Sequence, residues 1–234
     1  MFHKSARFYD AIYSFKDYAA EAATIHAAIQ SHVPEARSVL DVACGTGLHM
    51  QHLAEHYEIE GLDLDPGLLE IARERLPGIR LHEGDMVGFD LGRTFDAVIC
   101  LFSSIGYTQT IDAMRTAMQT MARHVTPGGI LMVEGWLTPD QFETGHLGAV
   151  FVDEADLKIA RINTTERNGS LSMLRLHYLV GTPEGVESFE ERHELGLFTN
   201  EEYEDAMTAA GLDVHVDEEG LEGRGLFVGV RPKD

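Results

Sequence analysis

The sequence is short of cysteine, proline and positive charge, and each shortage removes a class of protein. Two cysteines in 234 residues cannot build a disulfide framework and point to a reducing, cytoplasmic setting. Seven prolines and an unremarkable glycine content rule out fibrous and low-complexity chains. Only 18 Lys and Arg stand against 39 Asp and Glu, a formal charge of −21. Such a surface repels phosphate backbones and anionic lipid, so neither nucleic acid nor membrane is an expected partner. No apolar run approaches the roughly 20 residues of a membrane span, and MFHKSARFYD has no signal-peptide core.

What remains is an ordinary globular composition, 44% apolar and 24% charged, long enough for one domain with an ample core. Residues 1–34 read as an N-terminal helical segment, with helical apolar spacing over 17–32 and a stop at Pro34. Strand and helix then alternate. Short apolar strands are expected at Ser38–Ala43, Ile59–Leu64, Arg80–Glu83, Phe95–Leu101 and Ile130–Glu134. Helices are expected at Gly47–His56, from Asp65-Pro66 through Leu76, and at Thr110–His124. That rhythm predicts a doubly wound, mostly parallel α/β sheet covered on both faces.

Beyond Trp136 the rhythm changes. Lys158–Thr165 and Leu171–Val180 flank Asn168-Gly169, a hairpin signal, and Val186–Leu197 extends the same antiparallel sheet. A helix at Asn200–Ala210 and strands at Leu212–Val216 and Gly225–Val230 complete the chain. The whole is one domain carrying a β-rich insertion over about 137–197.

The stretch LDVACGTGLH, residues 40–49, turns from a strand into a glycine loop, and three kinds of ligand use such turns. A triphosphate loop needs a lysine and a hydroxyl where Leu48-His49 stand. A dinucleotide fingerprint wants glycine where Met50 stands. Asp63 lies where an acid could accept ribose hydroxyls, but a nucleoside-based methyl donor needs that acid too. The accompanying pieces are Asp41 before the turn, Gly84-Asp85-Met86 after the third strand, Cys100-Leu101-Phe102-Ser103 at the end of the fourth, and Pro127-Gly128-Gly129 before the fifth. In this order they resemble a class I S-adenosylmethionine-dependent methyltransferase, a Rossmann-like fold with a seven-stranded sheet.

LDVACGTGLH, EGDM, CLFSSIGY, Glu134-Gly135-Trp136, LFTNEEYEDAMTAAGL and GRGLFVGV are together similar to the N,N-dimethyltransferases of nucleotide-linked amino sugars in macrolide biosynthesis. The resemblance runs from the Tyr9–Tyr18 region to the last strand. It departs at Gly135 and Leu137, where the family carries Glu-Pro-Trp-Trp beside the acceptor.

The resemblance implies S-adenosylmethionine as cofactor, S-adenosylhomocysteine as product, and a small-molecule acceptor such as a nucleotide-linked amino sugar. It implies donor contacts from Tyr9, Tyr18, Asp41, Ala43, Gly45, Gly47, Asp63, Leu64, Asp85, Met86 and Leu101. Acceptor contacts are expected from Tyr13, Ser104, Trp136, Arg161, Tyr178, His193 and Arg224, with Tyr107 at the transfer point. The inserted sheet offers a surface through which two copies could pair. The residues alone leave open an O- or N-methyltransferase of another small molecule, and a donor-binding regulatory protein. Cys44 and Cys100 read as small core residues. No metal set is expected, because His49, His52 and His56 read as an exposed helix face with no acid or cysteine to complete it.

Overall fold

The computed structural model describes residues 4–221 and 223–233, so Met1, Phe2 and His3 of the N-terminal segment lie outside the described residues. A 3-10 turn, Ala6–Phe8, leads into the short helix α1 (Tyr9–Ile12) and then α2 (Tyr18–His32). Asp17 caps α2 by accepting the Ala20 N–H at 2.9 Å. The core of the fold follows as β1 (Ser38–Val42), α3 (Leu48–Leu53), β2 (Glu58–Asp63), α4 (Pro66–Arg75), β3 (Arg80–Glu83), β4 (Phe95–Cys100), α5 (Ile111–Arg123) and β5 (Val125–Glu134). Asp65 caps α4 through Gly67 and Leu68, with Pro66 at the first helical position.

An antiparallel meander comes next: β6 (Leu147–Asp153), β7 (Lys158–Asn168), β8 (Leu171–Thr182) and β9 (Gly185–Gly196). The chain ends with α6 (Asn200–Ala209), held by a Thr199–Glu202 capping box, then β10 (Asp213–Asp217) and β11 (Leu226–Val230). The main sheet has seven strands in the order β10-β11-β5-β4-β1-β2-β3, parallel except where β11 pairs antiparallel with β5 and β10. The order reverses between β1 and β4, which places a crevice at the carboxyl ends of these strands.

Three core clusters hold this arrangement. One packs α5 and α6 on one face of the sheet, and a second packs α2, α3 and α4 on the other. The third joins Phe8 and Ile12 of the N-terminal segment to Val152, Ile159, Leu176 and Val180 under the inserted sheet. The inserted sheet thus packs on the N-terminal segment, and its β9 also reaches the cleft wall directly, where His193 meets Tyr107.

Several details differ from the sequence pattern. β5 begins at Val125 because its register with β4 shifts between Phe95 and Ala97, so the Pro-Gly-Gly segment forms a bulge within the strand. The β7–β8 turn centres on Gly169-Ser170, with Asn168 already paired to Leu171. β6 was not anticipated, since Val150 and Val152 on one face and Leu147, Ala149 and Phe151 on the other leave no polar alternation to mark a period of two. The predicted histidine face is not exposed as a unit. His49 is buried and hydrogen-bonded to Glu21, the helix ends before His56, and His56 stacks on His26 at 4.1 Å. Both cysteines are free and buried.

Candidate active site

The turn after β1 carries three consecutive demands on backbone geometry. Ala43, Gly45 and Gly47 all adopt left-handed conformations, with φ of 61°, 57° and 79°. At Gly47 a β-carbon would also approach Leu76 Cδ1 to 2.8 Å, so a larger residue there would have to push that side-chain end aside as well as adopt the left-handed backbone. Ala43 is a non-glycine residue held at positive φ, a strain that the surrounding contacts must overcome. Asp63, at the end of β2, supplies one such contact: its Oδ2 accepts the Gly45 N–H at 2.7 Å and its Oδ1 the Asp65 N–H at 2.8 Å. Thr46 donates to Asp10 of α1 at 2.7 Å, and Arg75 bonds both the Thr46 carbonyl and Asp10. The N-terminal segment is therefore tied directly to the glycine turn.

A cleft of about 240 Å³ opens over this turn, lined among others by Tyr9, Asp63, Asp85, Met86, Ser104 and Tyr107. Leu64 is half exposed on its wall, and Ala43 and Gly45 form its floor. A smaller pocket of about 30 Å³ continues it toward Tyr18, Asp41, Leu101 and His49, sharing Tyr9, Ala43, Gly45 and Ser104 with the cleft. Of the predicted donor residues, only Gly47 lines neither space; it closes the turn from behind.

The electrostatics of the deep end suit a cation. Asp41 is 2% exposed and its Oδ2 has no hydrogen-bond partner. Burial, and secondarily the nearby Asp63 carboxylate, push its carboxyl well above the usual aspartate range. Burial raises Asp63 as well, against the backbone hydrogen bonds that lower it. A buried acid with an unsatisfied oxygen facing a pocket fits an ammonium or sulfonium ligand. At the Phe102 wall of the smaller pocket, Lys16 donates to Glu21 at 2.7 Å and lies 4.2 Å from the centre of the Phe102 ring. Burial alone would raise Glu21, yet hydrogen bonds from His49 and Lys16 hold it below its ordinary value. The sequence pattern missed Lys16 and Glu21, because each looks like a solvated helix-flanking charge.

The other wall comes from the end of β4. Phe102 and Ser103 are also left-handed, at φ 52° and 59°. The Phe102 N–H donates to Glu134 Oε2 at 2.6 Å, and the Ser103 hydroxyl to the Gly135 carbonyl at 2.7 Å. These bonds present the 3-10 turn Ser104–Thr108, and with it Tyr107, to the cleft. Burial, and then the fields of Tyr13, Tyr178, Glu191 and Asp63, raise the Tyr107 hydroxyl well above its ordinary value. Tyr107 is therefore a protonated hydroxyl. Tyr9 is raised in the same way, mainly by burial.

The predicted acceptor residues divide. Ser104 lines both spaces. Tyr13 packs 4.7 Å from Tyr9 and accepts a hydrogen bond from Arg161 at 3.2 Å. Tyr178 is buried and stacks on Phe189 at 4.6 Å, behind the cleft rather than along it. Trp136 donates its indole N–H to Ser172 at 2.9 Å. Arg224, expected among the acceptor contacts, pairs its guanidinium with buried Glu134 at 3.1 Å. His193 is 3% exposed and reaches the cleft through Tyr107, whose hydroxyl lies 2.6 Å from its Nδ1. Gly135 donates its N–H to the Gly225 carbonyl at 3.3 Å, a bond that the proline of the resembled family could not make.

Comparison with known proteins completes this picture. Residues 39–129 match the model of a methyltransferase domain. The chain is 44% identical over 96% of its length to a dTDP-3-amino-3,6-dideoxy-alpha-D-glucopyranose N,N-dimethyltransferase of Streptomyces fradiae, covering 90% of that protein. It is 45% identical to a dTDP-3-amino-3,4,6-trideoxy-alpha-D-glucopyranose N,N-dimethyltransferase of Streptomyces venezuelae, over 92% of each chain. The chain belongs to the amino-sugar N,N-dimethyltransferases. Its structure superposes on that of Streptomyces venezuelae DesVI with a TM-score of 0.93 at 43% identity, over 98% of this chain and 99% of the other. A methyltransferase for an amino pentose from Micromonospora echinaspora, solved with S-adenosylmethionine bound, gives a TM-score of 0.88 at 40% identity over 99% of this chain and 98% of that one. This dimethyltransferase uses S-adenosylmethionine as its cofactor. Among its described residues no helix is long and apolar enough to cross a membrane, and no group of three metal-ligating side chains occurs.

Proposed function

We propose that this chain places two methyl groups on the amino nitrogen of a dTDP-linked amino-deoxyhexose. The near full-length similarity to two dTDP-3-amino-sugar N,N-dimethyltransferases carries this reading. The cleft adds support, because its transfer end offers neutral hydroxyls, Tyr9, Ser104, Tyr107 and Thr108, suited to an uncharged amine.

When bound, S-adenosylmethionine supplies a methyl group already activated on a sulfonium sulfur. The free carboxylate oxygen of Asp41 and the Ala43 carbonyl would hold the donor's ammonium group. Asp63, fixed by two backbone N–H groups, would accept ribose hydroxyls, and Asp85 with Met86 would flank the adenine. Tyr107 orients the acceptor nitrogen so that its lone pair faces the transferred methyl, and positioning of this kind supplies much of the acceleration. A Tyr107→Phe variant is expected to lose about tenfold in kcat with donor affinity unchanged, the size of one orienting hydrogen bond.

The deciding experiment incubates the protein with methyl-labelled donor and a panel of dTDP-amino sugars, amino acids and phenols. Label on the sugar nitrogen supports the reading; label on non-sugar acceptors alone overturns it. The same proposal places the enzyme in the cytoplasm, where buried thiols such as Cys44 and Cys100 stay reduced.

A homodimer through the inserted sheet belongs to this reading too. Leu147, Phe151, Ile162 and Leu179 are exposed on the outer face of β6–β8. The pairs Ala149–Ile162 and Ala160–Leu179 align them across neighbouring strands. A second copy of the same face would cover this apolar patch.

A further inference from the structure

Two methyl transfers to one nitrogen require two proton losses, and the first cannot be deferred. The monomethyl ammonium formed in the first transfer has no lone pair until it is deprotonated, and an alkylammonium in water holds its proton to about pH 10. Tyr107 alone cannot take that proton, because its own hydroxyl is already protonated. It can pass one on.

Behind Tyr107 the structure provides a continuous set of groups. The Tyr107 hydroxyl lies 2.6 Å from His193 Nδ1, and the other ring nitrogen of His193 lies 3.8 Å from Glu191 Oε2. Both His193 and Glu191 are buried, at 3% and 7% exposure. Glu191 is in turn anchored by the N-terminal segment: its Oε1 accepts the Lys4 and Ser5 N–H groups at 2.9 and 3.0 Å, and its Oε2 the Ser5 hydroxyl at 2.5 Å. Burial by itself would raise Glu191, yet its hydrogen bonds with His193, Ser5 and Lys4 hold it down to about 2, so it is a carboxylate. A carboxylate facing Nε2 favours the tautomer with the proton there. That leaves Nδ1 as the acceptor of the Tyr107 hydroxyl, and turns the Tyr107 lone pairs toward the cleft.

We infer that Tyr107, His193 and Glu191 form the route by which the proton leaves the methylated amine, with His193 and Glu191 as positioning residues acting through Tyr107. The inference rests on the amine-acceptor reading above. As the nitrogen lone pair forms the new N–C bond, the electron pair of the broken S–C bond stays on sulfur. The nitrogen then gives one proton to the Tyr107 oxygen while the Tyr107 hydroxyl proton passes to His193 Nδ1. The imidazolium so formed is stabilised by Glu191 and returns its proton to solvent before the next transfer. Ser5 and Lys4 make the route conditional on the N-terminal segment being seated, which is also the segment that brings Tyr9 to the donor cleft.

The test compares His193→Gln, Tyr107→Phe and the double variant on a dTDP-3-amino sugar, counting monomethyl and dimethyl products. Glutamine can still accept the Tyr107 hydroxyl but cannot hold a proton. His193→Gln is expected to lower kcat about tenfold, leave the sugar KM within about twofold, and accumulate monomethyl product. The double variant should be no slower than Tyr107→Phe alone. A His193→Gln enzyme with native kcat and product ratio, or losses that multiply in the double variant, would overturn the relay. If the unmodified protein fails to methylate any sugar nucleotide, the acceptor reading has failed. The relay is then judged by nitrogen-15 NMR of His193 in the S-adenosylhomocysteine complex. An Nε2–H tautomer with hydrogen-bonded Nδ1 supports it; an Nδ1–H tautomer overturns it.

Discussion

The two sides of the cleft are built on opposite plans. On the donor side, the partners of the strand-end acids lie nearer along the chain: Asp63 holds the Gly45 N–H 18 residues before it and the Asp65 N–H 2 residues after it, and Asp65 caps the helix that follows. On the acceptor side, each group is held by a partner far along the chain. Tyr107 meets His193 at a separation of 86 residues, Glu134 meets Arg224 at 90, and Ser5 meets Glu191 at 186. A local arrangement reproduces the same nucleoside-binding shape wherever the short motif recurs. A non-local one varies with every insertion, which is how one donor site can serve many acceptors.

If that contrast holds, damage to the donor side should be severe and indifferent to the acceptor. Asp63→Ala removes the partner of two loop N–H groups as well as the proposed ribose acceptor. It should weaken donor binding about 100-fold or more by calorimetry, whatever the acceptor present. Asp41→Asn should weaken donor binding about tenfold, yet stabilise the ligand-free protein by about 1 kcal/mol, because a poorly solvated buried acid is gone. Thermal melts with and without S-adenosylhomocysteine check both halves, and a loss of stability without ligand would contradict the assignment of Asp41 as a counter-charge.

Asp41 also fixes a pH effect. Its folded value is raised by burial, so the free protein holds a proton there above the ordinary aspartate range. A cationic ligand needs the carboxylate, so binding expels that proton. Donor affinity should therefore rise with pH up to the raised value and level off above it. The stability linkage has the matching sign: from about pH 4 up to the folded value, the folded state binds more protons than the unfolded chain, and stability falls as pH rises. Calorimetry in buffers of different ionisation enthalpy would detect the released proton.

The smallest effect is expected on the outer face of the inserted sheet. Phe151→Glu should leave donor binding intact and change only the assembly state, read by analytical ultracentrifugation. Unchanged mass would remove the proposed second copy from that face.

The order of strands and helices was legible because buried parallel strands read as apolar runs punctuated by glycine and helix caps. The residues lining the cleft over the glycine turn were legible because they sit at fixed steps after those strands. β6 was not, since apolar residues on both faces leave no polar alternation. Nor were Lys16, Glu21 and His49, whose burial depends on how α2 and α3 pack.

The sequence by itself determined the doubly wound sheet, the glycine turn and the acids around it, since local backbone preferences and strand-end positions suffice for these. Tertiary structure decided which of the residues expected at the acceptor line the cleft and which are engaged elsewhere. Arg224 and Trp136 are engaged with Glu134 and Ser172, whereas His193 stands behind Tyr107. Buried polar groups must find partners wherever the fold places them. When the partners lie nearly a hundred residues apart, only the assembled fold reveals the pairing.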